Sequence, residues 1–129
     1  MCPVCQQAMV TFEMDGVEID RCIACSGTWL DLGELALILE AGGSSAASWR
    51  QALHEARTDR KTKRRCPRCP RKLQQIQVGD QPTVALDRCP WNHGLWFDQG
   101  EMETVIRSFS DGDPGIVARF FADLYHSEQ

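Results

Sequence analysis

Apolar residues recur at every second position in two short runs near the start of the chain. These runs are Val10 with Phe12, and Val17 with Ile19. Asp15-Gly16 lies between them, and this pair is typical of the tight turn that closes a β-hairpin. Alternation with a period of two places one face of each segment in a core. The pattern therefore predicts antiparallel strands over residues 8–13 and 17–22.

The same alternation returns in the second half of the chain. Its apolar positions are Leu73, Ile76 and Val78, followed by Val84 and Leu86. Gly79-Asp80-Gln81-Pro82 separates the two runs and supplies residues that favour a turn. A second hairpin is therefore predicted, three residues longer than the first.

Each predicted hairpin is followed by the same motif. Residues 29–35 have the sequence Trp-Leu-Asp-Leu-Gly-Glu-Leu, and residues 96–102 have the sequence Trp-Phe-Asp-Gln-Gly-Glu-Met. An Asp three residues before a Glu has the spacing of a capping box, which satisfies free N–H groups in the first turn of a helix. Each motif therefore predicts a helix, the first ending at about Ala41 and the second at about Phe109.

Two more helices are predicted, one between the repeats and one after them. Over residues 44–65, Trp49, Leu53 and Ala56 fall on one helical face, and the basic end of the segment suits a helix C-terminus. Residues 111–129 begin with a capping residue and a first-turn proline. Their apolar stripe either packs into the core or contacts a partner protein. The residues of this stripe are Ile116, Val117, Phe120, Phe121 and Leu124.

Composition limits the classes of protein to which the chain can belong. It has 129 residues and a formal net charge of −4. The mean hydropathy is −0.34, and no apolar run is long enough to cross a membrane. The first five residues lack the basic region and apolar core of a signal peptide. We therefore expect a cytoplasmic protein with no membrane partner, in which thiols stay reduced.

The cysteines come in Cys-x-x-Cys pairs, which are typical of metal sites. Their total of seven is odd, and this disfavours a disulfide framework. Cys2, Cys5, Cys22 and Cys25 form two pairs separated by 16 residues, which is within the spacing of four-cysteine zinc sites. Each repeat has only about 40 residues, a size at which a hydrophobic core alone seldom suffices. The first repeat therefore predicts a zinc site.

The second repeat has three cysteines in matching positions. They are Cys66, Cys69 and Cys89. Aligning the two repeats places Asn92 where the first repeat has Cys25, and Asn is a poor zinc ligand. His93, one residue later, has a longer reach and suitable chemistry. We predict that His93 completes this site, with Asn92 as the alternative, so that the chain binds two Zn²⁺ ions.

Both predicted sites are closed by four protein ligands and leave no position for an activated water. This arrangement is typical of structural rather than catalytic zinc. No Ser/His/Asp set is visible, and Asp31, Glu34, Asp98 and Glu101 are explained by helix capping. We therefore expect that the protein is not an enzyme. Four-cysteine sites also hold iron, but the histidine of the second site favours zinc.

Positive charge is concentrated in one stretch of an otherwise acidic chain. Residues 57–72 carry nine of the fourteen Lys and Arg residues. Such a stretch is typical either of phosphate contacts with DNA or RNA or of a solvated charged surface. The best candidates for phosphate contacts are Lys61, Lys63, Arg64 and Arg65. Binding through them would be weak and dependent on salt.

The two repeats resemble the zinc-finger family named after transcription factor IIB, a family of zinc-ribbon proteins. The resemblance rests on Cys-Pro-x-Cys, then Asp-Arg-Cys-x-x-Cys-x-Gly, then Trp-Leu-Asp-x-Gly-Glu-Leu. It covers residues 2–41 and 66–108, and the second repeat departs from the pattern at Asn92 and His93. The resemblance implies zinc binding and, more loosely, nucleic-acid binding or a role in transcription.

Together these features predict a small zinc-stabilised α+β protein. Two zinc-ribbon-like β-hairpin units, each followed by a helix, would occupy residues 1–43 and 66–110. A helical basic linker would span 44–65, and an amphipathic helix would span 111–129. The favoured function is nucleic-acid binding or transcription-related regulation. The alternatives are a protein-interaction adaptor, which docks through the C-terminal helix and the face containing Trp49, and a metal-handling or redox protein.

Overall fold

The computed structural model describes residues 1–14, 16–41, 45–80 and 83–109. In these ranges the strands are β1 (Val10–Met14), β2 (Val17–Arg21), β3 (Thr28–Asp31), β4 (Arg57–Arg65), β5 (Lys72–Val78), β6 (Val84–Arg88) and β7 (Gly94–Phe97). The helices are α1 (Glu34–Ala41), α2 (Ala47–Glu55) and α3 (Glu101–Phe109). The helix predicted over 111–129 lies outside the described residues. None of the three helices is long and apolar enough to span a membrane.

The strands form one antiparallel sheet in the order β1-β2-β3-β7-β6-β5-β4. The two predicted hairpins are β1 with β2 and β5 with β6, and the helices α1 and α3 follow them as expected. The small α+β class is therefore confirmed. Each repeat also contributes a third strand that the sequence did not predict, β3 in the first repeat and β7 in the second.

The two third strands pair with each other in the middle of the sheet. Trp29 lies opposite Trp96, and Leu30 lies opposite Leu95. Trp29 and Trp96 occupy the same place in the two repeats. The repeats are therefore related by an approximate two-fold axis, as the halves of a symmetric dimer would be.

The prediction of a helical basic linker over 44–65 is wrong for its basic half. Helix α2 ends at Glu55, and the chain continues as strand β4, which pairs antiparallel with β5 at one edge of the sheet. The backbone of Ala56 is already extended, with φ −59° and ψ 139°. Without β4, the N–H and C=O groups along β5 would be unpaired, and satisfying them favours the strand.

The main core lies between the sheet and the three helices. It contains side chains from both repeats and from α2, including Ile19, Leu39, Ile76 and Ile106. Trp49 is only 2% exposed, and its ring packs edge-on against Phe109 at 5.3 Å. The face of α2 that was considered as a docking surface is therefore part of this core.

Candidate metal centres

Each centre is built from two short turns at the ends of a hairpin. In the first repeat, the N–H of Gln6 donates to the carbonyl of Cys2, and the N–H of Ser26 donates to the carbonyl of Cys22. Gln6 and Ser26 have φ values of 61° and 63°, in the left-handed region. This conformation reverses the chain directly after each Cys-x-x-Cys pair, so that both sulfurs of a pair point to one place.

The four sulfurs of the first centre fit a tetrahedral ion. The Sγ atoms of Cys2, Cys5, Cys22 and Cys25 all lie within 4.8 Å of one another. Cys2 Sγ and Cys25 Sγ are 3.8 Å apart. A tetrahedron with Zn–S bonds of about 2.3 Å requires sulfurs about 3.8 Å apart. The donor set and its spacing are therefore those of a structural zinc site.

The second centre is made by Cys66, Cys69, Cys89 and His93, whose ligand atoms also lie within 4.8 Å of one another. Cys69 Sγ is 3.7 Å from Cys89 Sγ, and His93 Nδ1 is 3.3 Å from the same sulfur. Asn92 is exposed and has a φ of 59°, so it forms the chain reversal here. The structure thus brings the histidine rather than the asparagine to the three cysteines.

Backbone N–H groups point at the sulfurs and favour their charged form. Cys2 Sγ accepts hydrogen bonds from the N–H groups of Val4 and Cys5, at 3.3 and 3.2 Å. Cys66 Sγ accepts one from Arg68 at 3.3 Å, and Cys89 Sγ accepts one from Trp91 at 3.4 Å. Hydrogen bonds to a thiolate stabilise it relative to the thiol.

Two of the cysteines ionise at neutral pH only with a cation beside them. Burial raises the pKa of Cys25 and of Cys66 to about 12. Burial acts in the same direction at Cys22 and Cys89, but hydrogen bonds to these two sulfurs outweigh it and lower the pKa to about 7. A divalent ion bound by all four ligands supplies the charge that lets every thiol ionise.

The two centres share one apolar cluster under the sheet's central strands. Its buried members are Cys2, Cys22, Trp29, Cys66, Leu73, Cys89 and Trp96. The indole N–H of Trp29 donates to Asp31 at 2.9 Å, and that of Trp96 donates to Asp98 at 3.1 Å. The tryptophans are therefore held in fixed orientations between the centres.

A glycine in each repeat makes room for the tryptophan of the other repeat. A Cβ atom on Gly27 would lie 2.1 Å from Cζ2 of Trp96, and one on Gly94 would lie 2.6 Å from Cζ2 of Trp29. The glycine that ends the motif Cys-x-x-Cys-x-Gly is thus needed for the contact between the repeats. The sequence alone did not show this role.

Arg68 connects the second centre to the first repeat. It lies between Cys66 and Cys69, and its Nη2 is 2.7 Å from Asp20 Oδ2 while its Nε is 3.0 Å from Asp31 Oδ1. Hydrogen bonding to Asp31 raises the pKa of Arg68 further. This residue was missed from the sequence, where the only signal was a charged side chain at the position held by Val4 in the first repeat.

Arg64 makes the equivalent contacts in the second repeat. Its Nη1 lies 2.7 Å from Asp87 Oδ2 and 2.8 Å from Asp98 Oδ2. The carboxylate of Asp87 is only 5% exposed, and its burial raises its pKa while Arg64 acts in the opposite direction. Removing Arg64 would leave a buried carboxylate unpaired. Arg64 is one of the four residues predicted to contact phosphates, and these ion pairs show that it stabilises the fold.

The other three predicted phosphate contacts lie on the outward side of β4. Lys61, Lys63 and Arg65 are exposed, whereas Thr62 and Arg64 between them are partly buried. Lys63 and Arg65 also line a groove of about 490 Å³ between the first cysteine turns of the two repeats. Its other lining residues are Met1, Cys2, Pro3, Gln6, Cys66, Pro67 and Cys69.

Replacing His93 is expected to weaken the second centre and leave the first intact. His93→Ala leaves three ligands for a tetrahedral ion, so one of the two zinc ions should pass to a competing chelator at least tenfold faster than in the parent. Zinc release is followed with a chromogenic chelator. Asn92→Gly is the matched control, because glycine accepts the φ of 59° at this position. Faster release from Asn92→Gly than from His93→Ala would show that Asn92 is the ligand.

A family model described as transcription factor zinc-finger matches residues 1–41 and 65–108. These ranges contain both centres, both hairpins and the helices α1 and α3. No curated protein and no solved structure matched the chain.

Proposed function

Because the chain belongs to the transcription factor zinc-finger family, we propose that it binds nucleic acid through the outward side of strand β4. The two zinc centres serve the fold and hold this strand against the sheet. The observation that supports the proposal is the exposed row of Lys61, Lys63 and Arg65. The three alternate with the partly buried Thr62 and Arg64, so they share the solvent side of β4 although its pairing with β5 shifts register between Lys61 and Arg65.

The geometry of β4 suits contact with a phosphate backbone. Lysine and arginine side chains on one exposed side of a strand can each contact a phosphate of a nucleic-acid backbone. Thr62 anchors the strand by donating from Oγ1 to the carbonyl of Leu73 at 2.9 Å. Pairing of Lys61 with Gln74 and of Arg65 with Lys72 fixes the two ends of the cationic row on β5.

The charge of the rest of the chain favours binding at this strand over binding elsewhere. The net charge is −4 although residues 57–72 are strongly basic, so the remaining surface is acidic. An acidic surface repels a polyanion, which confines contact to the basic side. The expected affinity is modest and largely independent of base sequence, because lysine and arginine contacts to phosphates carry no sequence information.

A lysine-rich edge strand also has a purely structural explanation. Charged side chains on an edge strand prevent the strand from pairing with another sheet. This explanation predicts no affinity for nucleic acid. The protein-adaptor alternative likewise predicts none, and its docking helix over 111–129 lies outside the described residues. A binding measurement therefore separates both alternatives from the proposal.

We also propose that neither centre has a catalytic role. Four protein ligands surround each ion position and leave no place for a reacting water. The carboxylates of Asp20 and Asp31 are paired with Arg68, and those of Asp87 and Asp98 are paired with Arg64.

The double variant Lys61→Gln/Lys63→Gln is expected to bind nucleic acid less tightly and with a weaker dependence on salt. Two lost phosphate contacts should reduce the slope of log K against log salt by about 1.4 for a single strand and about 1.8 for a duplex. The measurement is fluorescence anisotropy with labelled DNA and RNA between low and moderate salt. Zinc content should be unchanged, because neither lysine is a member of the two ligand sets.

The control is Arg50→Gln/Arg107→Gln, which removes the same amount of charge from helices α2 and α3. Both arginines are exposed on the surface, at 60% and 68% of their side-chain area. Equal losses of affinity in the two double variants would indicate a general charge effect and contradict a site on β4. Absence of binding by the parent to duplex DNA, single-stranded DNA and RNA would refute the proposed function.

A further inference from the structure

One of the four tryptophans differs from the others in its surroundings. Trp29, Trp49 and Trp96 are at most 2% exposed, whereas Trp91 is 62% exposed. Trp91 lies in the second cysteine turn of the second centre, between Cys89 and His93. The corresponding residue of the first repeat is Ala24, so this aromatic side chain breaks the similarity between the repeats.

The ring of Trp91 carries a cation on one face. The guanidinium carbon of Arg71 lies 3.6 Å from the ring centroid. Such stacking holds both side chains in a defined orientation. The backbone under the ring is also fixed, because the N–H of Trp91 donates to Cys89 Sγ at 3.4 Å and the N–H of Asn92 donates to the carbonyl of Cys89 at 2.9 Å. Trp91 thus presents a preorganised aromatic surface to solvent.

The basic strand leads to this surface. Arg65, at the end of β4, donates from Nη1 to the carbonyl of Pro70 at 2.9 Å, and Arg71 is the next residue. Arg65 also lies opposite Lys72 on the neighbouring strand β5. Exposed cations therefore continue from Lys61 and Lys63 to the edge of the Trp91 ring.

We propose that Trp91 stacks on an unpaired base of a single-stranded nucleic acid whose phosphates contact the neighbouring cations of β4 and Arg71. This inference rests on the proposed function and specifies that the nucleic acid is single-stranded. A base in a duplex has both faces covered by its neighbours, whereas an unpaired base offers a free face to an indole. Stacking on an aromatic side chain combined with a basic path along the backbone is the usual way in which proteins bind single strands without regard to sequence.

An exposed Trp beside a cation also occurs at protein interfaces, but this site has little of the apolar surface that such an interface buries. Arg71, which stacks on the ring, and the chain neighbours Pro90 and Asn92 are all exposed. Protein interfaces bury such an anchor in a pocket with few charges at its centre. The exposure of Trp91 and the cation stacked on its ring favour a nucleic acid.

The first measurement uses the unmodified protein. Because Trp91 is the exposed tryptophan, stacking of a base on its ring should quench the emission and leave the contribution of the three buried rings nearly unchanged. A single-stranded oligothymidine of about ten nucleotides is titrated at low salt, and a duplex of the same length is titrated in parallel. We expect saturable quenching by the single strand and much less by the duplex. Binding of the single strand, detected by anisotropy, without quenching would overturn the inference.

The second measurement compares variants. Stacking contributes about 1–3 kcal/mol per base, so Trp91→Ala should weaken binding of the single strand roughly 5- to 150-fold. Binding of the duplex should change less than twofold. Trp91→Phe retains an aromatic face and should recover most of the affinity. Ile23→Ala is the matched control, because Ile23 is a 66% exposed apolar residue in the equivalent turn of the first repeat.

The outcomes separate this inference from the proposed function. If the parent binds nucleic acid and Trp91→Ala binds the single strand equally well, the stacking site is refuted and the role of β4 stands. If Trp91→Ala and Ile23→Ala weaken binding by the same factor, the stacking site is again refuted. If the parent binds no nucleic acid at all, the proposed function fails and this inference fails with it. Every variant is compared at two bound zinc ions, so that loss of the second centre is not mistaken for loss of stacking.

Discussion

Removing zinc is expected to unfold the protein completely. The apolar cluster between the repeats has seven buried members, and four of them are cysteine ligands: Cys2, Cys22, Cys66 and Cys89. Without the ions, these thiols separate and the cluster loses its packing. Structural zinc stabilises small zinc fingers by about 10–16 kcal/mol per ion at neutral pH. A domain of this size has a net stability of only about 5–15 kcal/mol, so the loss of two ions exceeds it.

The measurement combines metal analysis with circular dichroism and tryptophan fluorescence. Protein purified without added metal should contain close to two zinc ions per chain. An excess of a strong chelator should abolish the β-sheet signal and shift the emission of the buried tryptophans to longer wavelength. The same chelator saturated with zinc beforehand is the control and should have no effect. A folded protein that retains its spectrum without metal would contradict this expectation, and stoichiometric iron would contradict the choice of metal.

Gly94→Ala is expected to destabilise the fold strongly, although Gly94 is not a zinc ligand. A Cβ at this position would lie 2.3 Å from the carbonyl oxygen of Leu30 and 2.6 Å from Cζ2 of Trp29. The carbonyl belongs to a central strand and the indole is buried and hydrogen-bonded, so neither can move without disturbing the pairing of β3 with β7. Overpacking of this kind destabilises by about 3 kcal/mol or more when backbone has to shift.

The free energy of unfolding should be compared by urea denaturation at a fixed excess of zinc, because bound metal contributes to stability. Gly33→Ala is the control. Gly33 has a φ of +94° and open space around it, so this substitution introduces backbone strain without a clash. It should cost about 1–2 kcal/mol. Equal losses in the two variants would show that backbone conformation, rather than the contact between the repeats, explains the effect.

These contacts give the two repeats unequal roles in a nearly symmetric structure. The tryptophan of each repeat packs against the glycine of the other, Trp96 on Gly27 and Trp29 on Gly94. In each repeat, two aspartates bind one arginine. Arg68 belongs to the second repeat and binds Asp20 of the first repeat. Arg64 belongs to β4 and binds Asp87 of the second repeat. Lys61, Lys63, Arg65 and Trp91, which the proposals assign to nucleic acid, likewise lie in β4 and the second repeat. Under the proposed function, the contacts with nucleic acid would come from β4 and the second repeat, and the first repeat would serve to complete the fold.

The sequence by itself was sufficient to predict the ligand clusters, the two hairpins and the helices α1 and α3. Cysteine spacing, period-two alternation and the Asp-x-x-Glu motif are all local signals, because each depends on residues that a single turn or strand brings together. The choice of His93 over Asn92 also followed from local reasoning about reach and ligand chemistry. In the structure, His93 Nδ1 lies 3.3 Å from Cys89 Sγ and Asn92 forms the turn.

Only the tertiary structure decided how the repeats are joined and what the basic segment becomes. The pairing of β3 with β7 and the contacts of Arg68 with Asp20 and Asp31 join residues that are far apart in the chain. Local periodicity carries no information about such partners. The basic segment has charged residues at nearly every position, so its pattern distinguishes poorly between helix and strand. The basic segment forms a strand because β5 would otherwise have an unpaired edge. Pairing with β4 satisfies the backbone N–H and C=O groups of β5.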